Sequence, residues 1–471
     1  MAFNLGRTRR RKFIYLAAAA VFLFGCVFMM RRISSSEVED EEEVRKSKIT
    51  RDWERYLDPR EYLKDLLKSN RTLNSTFFDF IEQEEKKEAR IRKAGKAVVT
   101  EEKATTRDVN LELLAQPPNY NVHVFYYMWY GNPSKNGKYL HWNHEYLPHW
   151  DPLITKKFAK GTHVPPEDIG ANYYPALGPY SSKDPKAIHN HMKQLCRAGI
   201  GVLAVSWYPP GKADDQGGPP DTLIPLLLEI ALMYNLKVTL HIEPYKGRND
   251  KTLHEDVKYI VKTYAEHKAF YKHKHKDGRM LPFLYIYDSY LTPDADWAKL
   301  LKPQGSHSIR NTEYDCIFIG LIVKATHKDT ILIGGFDGVY TYFATDGFTY
   351  GSTWRIWPQL SAYATQTGTL FIPSIGPGYI DTRVRPWNSQ NTRSRQGGEY
   401  YKKSWNAAIS VKPEIISITS FNEWHEGTQI EEAIPKQVSA IIYNDYTPEG
   451  PDYYIKLTKE FIKKYQELRN K

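Results

Sequence analysis

Within the stretch "SFNEWHEGTQIEE" (420–432), Glu423 and Glu426 lie three residues apart beside Trp424 and His425, directly after the apolar run "PEIISITS". Two carboxyl groups near an aromatic surface suit acid–base cleavage of a sugar linkage, one giving a proton while the other takes one. Aromatic neighbours that exclude water would raise one pKa above the other, and split values permit the two roles. A hydrated loop after a strand, with one acid capping a helix, would carry the same letters. The elements that position the pair decide between these readings.

Those elements alternate. From residue 120 onward, β-rich runs occur at 122–130, 201–208, 237–245, 281–288, 316–323, 338–344, 369–375 and 414–424. Helical stretches such as "DPKAIHNHMKQLCRAG", "DTLIPLLLEIALMYN" and "EYYKKSWNAAISV" separate them, with the interval around "KATHKDTILIGG" the least clear. Eight strands with interleaved helices predict an α/β fold, a (β/α)8 TIM-like barrel. The alternative, an open doubly wound sheet, lacks its Gly-rich phosphate loop after the first strand.

A barrel places chemistry at the C-terminal ends of its strands. Trp129 and Tyr130 close the first predicted strand, and Trp207 and Tyr208 the second. His241, Glu243 and Tyr245 share one face of the third by the two-residue period of a strand. Asp288 ends the fourth, Tyr340 and Tyr342 share a face of the sixth, and Glu423 ends the eighth. Polar and aromatic groups from separate segments thus converge on one rim.

The connections add to that rim. Residues 131–184, including "HWNHEYLPHWDP", are too long for a plain connection. "PPGKADDQGGPPD" (209–221) reads as a mobile lid. After the seventh strand, Tyr379, Arg383, Arg385, Trp387 and Asn388 offer donors and flat surfaces for a polyhydroxylated ligand, while Arg393 and Arg395 read as solvated. His141, His144 and His149 lack a recognised ligand spacing and read as packing rather than as a metal site.

The chain has 471 residues, 41% of them hydrophobic, enough for one barrel-sized core with appendages. Its net charge of +10 does not point to nucleic acid: Arg7, Arg9, Arg10, Arg11 and Lys12 precede an apolar segment, and no RNA- or DNA-binding motif is present. That segment, "FIYLAAAAVFLFGCVFMM", has 18 uncharged residues and ends in Met-Met-Arg-Arg rather than a small-residue cleavage site. It reads as a retained signal-anchor. The expected layout is a cytosolic tail at 1–12, a transmembrane span at 13–30, a lumenal stem at 31–115 and a barrel domain at 116–471. Sequons at Asn70 and Asn74 agree with a lumenal body. Three cysteines, Cys26, Cys196 and Cys316, make no disulfide framework.

Together, "HVFYYMWYGNP", "VSWYPPG", "HIEPY", "YIYDSYLT", "FDGVYTYFATDGFTYGS", "PSIGPGYIDTRVRPWN" and "ITSFNEWHEGTQIE" resemble the glycoprotein endo-α-1,2-mannosidase family of Golgi glycoside hydrolases over about residues 120–450. The resemblance implies a retaining, endo-acting barrel enzyme that cleaves glucosylated high-mannose N-linked glycans on glycoproteins and releases glucosylmannose. It implies a single-pass Golgi membrane protein with a lumenal catalytic domain and no metal or other cofactor. It makes Glu423 the base that draws a proton from the sugar's own 2-hydroxyl, giving a 1,2-anhydro sugar. Glu426 becomes the acid that protonates the leaving oxygen and then activates water. His241, Glu243, Trp207, Tyr208, Tyr340 and Tyr342 are implied to hold the flanking sugars. Met128, where the family often has Ser, and "STWRIW" (352–357), in place of a more polar segment, depart from the pattern. A glycan-binding barrel without turnover and an exo-acting glycosidase are the rival readings.

Overall fold

The computed structural model describes residues 117–470. The expected tail, span and stem, and the sequon residues Asn70 and Asn74, lie outside them. Among the described residues no helix is long and apolar enough to cross a membrane.

The strands are β1 (Asn119–Tyr126), β2 (Ile200–Trp207), β3 (Lys237–Ile242), β4 (Lys272–Lys274), β5 (Met280–Ile286), β6 (Ile317–Leu321), β7 (Gly338–Tyr340), β8 (Leu370–Ile372), β9 (Ser374–Ile375) and β10 (Ile416–Ile418). The longer helices are α1 (Pro185–Ala198), α2 (Ile224–Met233), α3 (Asp250–Tyr264), α4 (Asp294–Leu301), α5 (His327–Gly334), α6 (Trp357–Thr367), α7 (Glu399–Ser410) and α8 (Tyr453–Arg469). The sheet order β8-β7-β6-β5-β3-β2-β1-β10-β9 is parallel throughout, and β4 lies off it, antiparallel to β5.

β8 pairs with β7 and β9 with β10, yet only Pro373 separates them. They are the two halves of the predicted seventh strand, so the sheet forms a nearly closed parallel barrel with a helix after each strand position. Proline has no N–H to give a ladder, which breaks the strand there. Its carbonyl still accepts from the Ser417 amide at 3.1 Å.

Local sequence explains these elements. β2, "IGVLAVSW", is buried at every position, as expected of a parallel strand covered on both faces. Asp184 opens α1 by accepting from the Lys186 amide, Pro185 fits the first turn, and Gly199 closes the helix at φ 79°. Ile188, Met192 and Leu195 form its buried face.

The strands stop earlier than the sequence pattern suggests. β3 ends at Ile242, β7 at Tyr340 and β10 at Ile418, so Glu243, Tyr245, Tyr342 and Glu423 all stand on the loops beyond.

Candidate active site

The acidic loop is fastened to the end of β1 by side chains. Asn422 accepts from the Tyr127 amide at 2.8 Å and donates to the Tyr127 carbonyl at 2.9 Å. The Tyr130 hydroxyl donates to the Asn422 carbonyl at 2.9 Å and accepts from the Trp424 amide at 3.1 Å. Behind the loop, the fully buried Glu431 accepts from the Tyr180 hydroxyl (2.8 Å) and the Trp424 indole (2.9 Å), and its Oε1 lies 3.1 Å from His191 Nε2 on α1.

Glu423 is buried; its Oε1 accepts from the His425 amide at 3.1 Å, while its Oε2 is buried with no protein partner. Burial, then repulsion from Glu426, raises its pKa well above the ordinary carboxylate value, against the pull of the His425 amide and Arg385. Glu426 is partly buried. Burial pushes it up to about 7, with Arg385 pulling down and Asp381 pushing up. Two mutually repelling carboxyls in a dry site hold a proton at neutral pH, and their ionisation belongs to the pair. His425 is kept neutral by burial and by His144 and His141, and its Nδ1 lies 2.7 Å from the Gly170 carbonyl.

Across from the pair, the Ser206 hydroxyl donates to Glu243 Oε1 at 2.8 Å, and His241 Nδ1 lies 3.5 Å from the same oxygen. His241 Nε2 is 2.7 Å from the Tyr340 hydroxyl, and its ring stacks on Tyr342. Tyr342 sits at φ 50°, unusual for a bulky residue; its hydroxyl meets that of Tyr127 at 2.5 Å. Such backbone strain is characteristic of functional sites. Glu423 and Glu426 both raise the phenol pKa values of Tyr127 and Tyr342, after burial, so these rings border the acid pair. Tyr287 feels Glu426 and Glu243 in the same way.

The predicted rim residues divide into groups. Glu423, Glu426, Glu243, Tyr342, Tyr379 and Arg385 share one electrostatic neighbourhood, and Tyr208 approaches it through Glu243. His241 and Tyr340 lie buried beneath. Asp288 adjoins Glu243 and Tyr287 from the end of β5. Tyr130 stands behind the loop, its hydroxyl already spent there. Trp129 lies against Tyr127, at 4.5 Å between ring centroids.

Trp207 and Tyr245 point elsewhere. The Trp207 indole donates to Asp221 at 2.7 Å, an acceptor shared with Tyr259 and Tyr264 of α3, while its neighbour Ser206 reaches Glu243. Tyr245 donates to Thr252 and Asp256, also on α3. The strand period fails for Tyr245 because β3 has already ended. Trp387 donates to the Leu147 carbonyl and Asn388 to Asp381, which also receives Tyr379 and Arg385. Tyr127, Tyr287, Asp381, Asn422 and Glu431 were missed by sequence reasoning; the strand-end aromatics flanking Tyr127 and Tyr287 were the signal available.

Arg395, expected to be solvated, is 7% exposed. Its guanidinium lies 4.5, 5.1 and 4.4 Å from the ring centres of Tyr173, Tyr446 and Tyr454. From there it donates to the carbonyls of Gly427 (2.9 Å) and Gln429 (2.7 Å), directly after Glu426. Gly427 itself sits at φ +60°, and a Cβ there would meet the Ile380 carbonyl at 2.7 Å. Arg395→Lys should therefore destabilise the domain by about 1.5–3 kcal/mol in urea unfolding, the scale of a lost charged hydrogen bond. A cavity of about 510 Å³ beside Arg395, lined also by Tyr173, Arg393 and Asn444, contains neither member of the acid pair.

The 209–221 loop is docked. His141 Nε2 lies 3.0 Å from Asp214, the Gln216 side chain accepts from the His141 amide at 2.9 Å, and the His141 ring stacks on Trp129. Burial alone would raise Asp214, but His141 and the amides of Gly218 and Gln216 prevail and hold it below its ordinary value. A depressed acid lends stability above its unfolded pKa and loses it as pH falls through the folded value. Asp214→Asn should thus lower amide-exchange protection factors across 209–221 at neutral pH. Acid below about pH 4 should lower the parent's protection factors, taken against the intrinsic rate at each pH, in the same way.

Among the described residues no group of three or more His, Cys, Asp or Glu side chains is arranged to hold a metal ion.

A family model described as glycosyl hydrolase family 99 matches residues 117–467. A glycoprotein endo-alpha-1,2-mannosidase of Xenopus laevis is 57% identical over 349 residues, covering 74% of this chain and 78% of that protein. A glycoprotein endo-alpha-1,2-mannosidase-like protein of Homo sapiens is 53% identical, covering 73% of this chain and 76% of that protein. The structure of the GH99 endo-alpha-mannosidase from Bacteroides thetaiotaomicron superposes with a TM-score of 0.68 at 43% identity, over 75% of this chain and 99% of that one.

Proposed function

The chain belongs to glycosyl hydrolase family 99, and we propose that it is an endo-acting mannosidase that cuts the α-1,2-mannosidic bond within glucosylated high-mannose N-glycans. The observation that carries this reading is the pair Glu423 and Glu426 on one clamped loop, both raised by burial and bordered by Tyr127 and Tyr342.

In the proposed reaction Glu423 takes the proton from the 2-hydroxyl as O2 attacks C1. The bond from C1 to the leaving oxygen breaks, and Glu426 protonates that oxygen. Water then attacks C1 of the 1,2-anhydro sugar, giving its proton to Glu426 as the C1–O2 bond opens and O2 recovers a proton from Glu423. Two inversions leave the configuration retained. These roles need Glu423 ionised, whereas its burial and the neighbouring Glu426 favour its protonated form. Glu423 Oε2 has no protein hydrogen-bond partner, and a sugar hydroxyl donating to it would stabilise the carboxylate and shift the proton toward Glu426.

The reading of 13–30 as a signal-anchor supports a single-pass Golgi membrane protein with this domain in the lumen. Alkaline extraction should leave the full chain with the membrane, and Asn70→Gln and Asn74→Gln should each raise its gel mobility.

Product analysis on a monoglucosylated high-mannose glycan tests the activity. The full chain should release intact glucosylmannose. Free glucose alone would mean exo-cleavage, and binding without any release would mean a lectin-like barrel.

A further inference from the structure

A large branched glycan extends well past the two sugars at the scissile bond, so an endo-acting cleft has reason to hold more of it. One part of the surface is built for this. Trp150 is 80% exposed, the most exposed large apolar side chain among the described residues. Isolated exposed tryptophans are uncommon, and an indole set in place presents a flat apolar face that matches the C–H face of a pyranose.

The ring is fixed. Trp150 lies over His149 with ring centres 3.6 Å apart, and both meet Trp387 edge-on, at 5.4 and 4.8 Å. His149 is itself held: its Nδ1 accepts from the Asp151 amide at 2.9 Å, and its carbonyl accepts from the Thr155 hydroxyl at 2.8 Å. The Trp387 indole donates to the Leu147 carbonyl at 3.0 Å, and the Leu147 amide donates to the Val384 carbonyl at 2.8 Å. The segments 147–151 and 384–387 are therefore stitched into one wall. That wall includes Arg385, whose charge acts on Glu426 and whose guanidinium donates to Asp381 at 3.1 Å.

We infer that Trp150, seated on His149 and Trp387, is a sugar-binding platform that extends the cleft and stacks a hexopyranose of the same glycan beyond the residues at the scissile bond. This rests on the hydrolytic reading above. Leu153, 68% exposed, and Lys156, Lys157 and Lys160 lie close by in sequence and would also suit a lipid surface. The ring packed on His149, braced edge-on by Trp387 and continuous with the Arg385 wall, favours the sugar, since an interfacial anchor needs no fixed orientation.

The test compares Trp150→Ala and Trp150→Tyr in the full chain, on a complete monoglucosylated high-mannose glycan and on a short linear oligosaccharide carrying only the scissile bond and its flanking sugars. Trp150→Ala should raise KM for the complete glycan by roughly 3- to 10-fold, the worth of one aromatic stacking contact. Its kcat, and both constants for the short substrate, should stay as in the parent, and Trp150→Tyr should recover most of the loss. An equal change on both substrates, or none on either, overturns the platform. So does an unchanged KM with quenching of tryptophan fluorescence by brominated phosphatidylcholine in vesicles carrying the full chain that disappears in Trp150→Ala, which would assign Trp150 to a membrane surface. A parent inactive on both substrates would overturn the hydrolytic reading, and the platform with it.

Discussion

Replacing Glu426 by Gln should lower kcat on a natural glycan by roughly 10²- to 10⁴-fold, the usual contribution of a positioned general acid. The loss in kcat/KM, which reads the first step, should shrink sharply on a substrate with a nitrophenyl-type leaving group, which departs without a proton. On that substrate kcat should stay low, because water still needs Glu426 in the second step. Glu423→Gln should lose a similar factor on both substrates, because drawing the proton from the attacking hydroxyl is needed whatever leaves. Steady-state kinetics of the two variants on the two substrates make this a four-way comparison, and equal losses everywhere would sink the assignment of roles. Since Glu426 is pushed up to about 7, activity should fall as pH rises through that region, and the limb should vanish in Glu426→Gln. The stability sign follows. A carboxyl whose folded pKa is raised costs nothing below its unfolded value and progressively destabilises the fold as pH climbs to the folded value. Glu426→Gln should therefore have a higher thermal midpoint than the parent at pH 8 and an equal one near pH 4.

Glu431→Leu should cost about 3–5 kcal/mol, as expected when one member of a buried polar set is removed. The carboxylate is the shared acceptor for the Tyr180 hydroxyl and the Trp424 indole, with His191 against its other oxygen. An isobutyl group would leave all three without it. His191 also meets the Tyr126 hydroxyl at 2.8 Å, so the set ties α1 to β1 as well as to the acid loop. Glu431→Gln keeps one acceptor oxygen and should lose less. Urea unfolding of the two variants reads the difference, and a Leu variant as stable as the parent would show that Glu431 holds nothing.

Strand positions were legible in the sequence because each β-rich run is short, apolar and bounded by turn residues. Their ends were not. "EIISITSFNEW" continues apolar past Ile418, yet the ladder stops and the chain turns to bring Glu423 and Glu426 over the barrel mouth. Pro373 in "TLFIPSI" did carry the signal for the break between β8 and β9. The acid pair stood out because two carboxyls flank a Trp–His dipeptide. Glu431, Asp381 and Arg395 did not, since a charged residue in a loop looks solvated until its partners are known, and these partners come from distant segments. Tyr173 and Tyr446 around Arg395 are an example. Trp207 and Tyr245 were hard to read for the opposite reason: aromatic residues at a strand end look like ligand contacts, and only the fold shows that the Trp207 indole bonds Asp221 and the Tyr245 hydroxyl bonds Thr252 of α3.

β1 pairs with β10, matching Val122 to Ile416, and the clamp between Tyr127 and Asn422 lies just past that seam. The ribosome therefore delivers the two sides of the seam nearly a whole domain apart. A nascent chain arrested before residue 414 would expose both β1 and β9 as unpaired edges, targets for chaperones and for wrong partners. It would also lack both acids. Synthesis order thus withholds hydrolytic competence until barrel closure, which should be the slow, long-range step of folding.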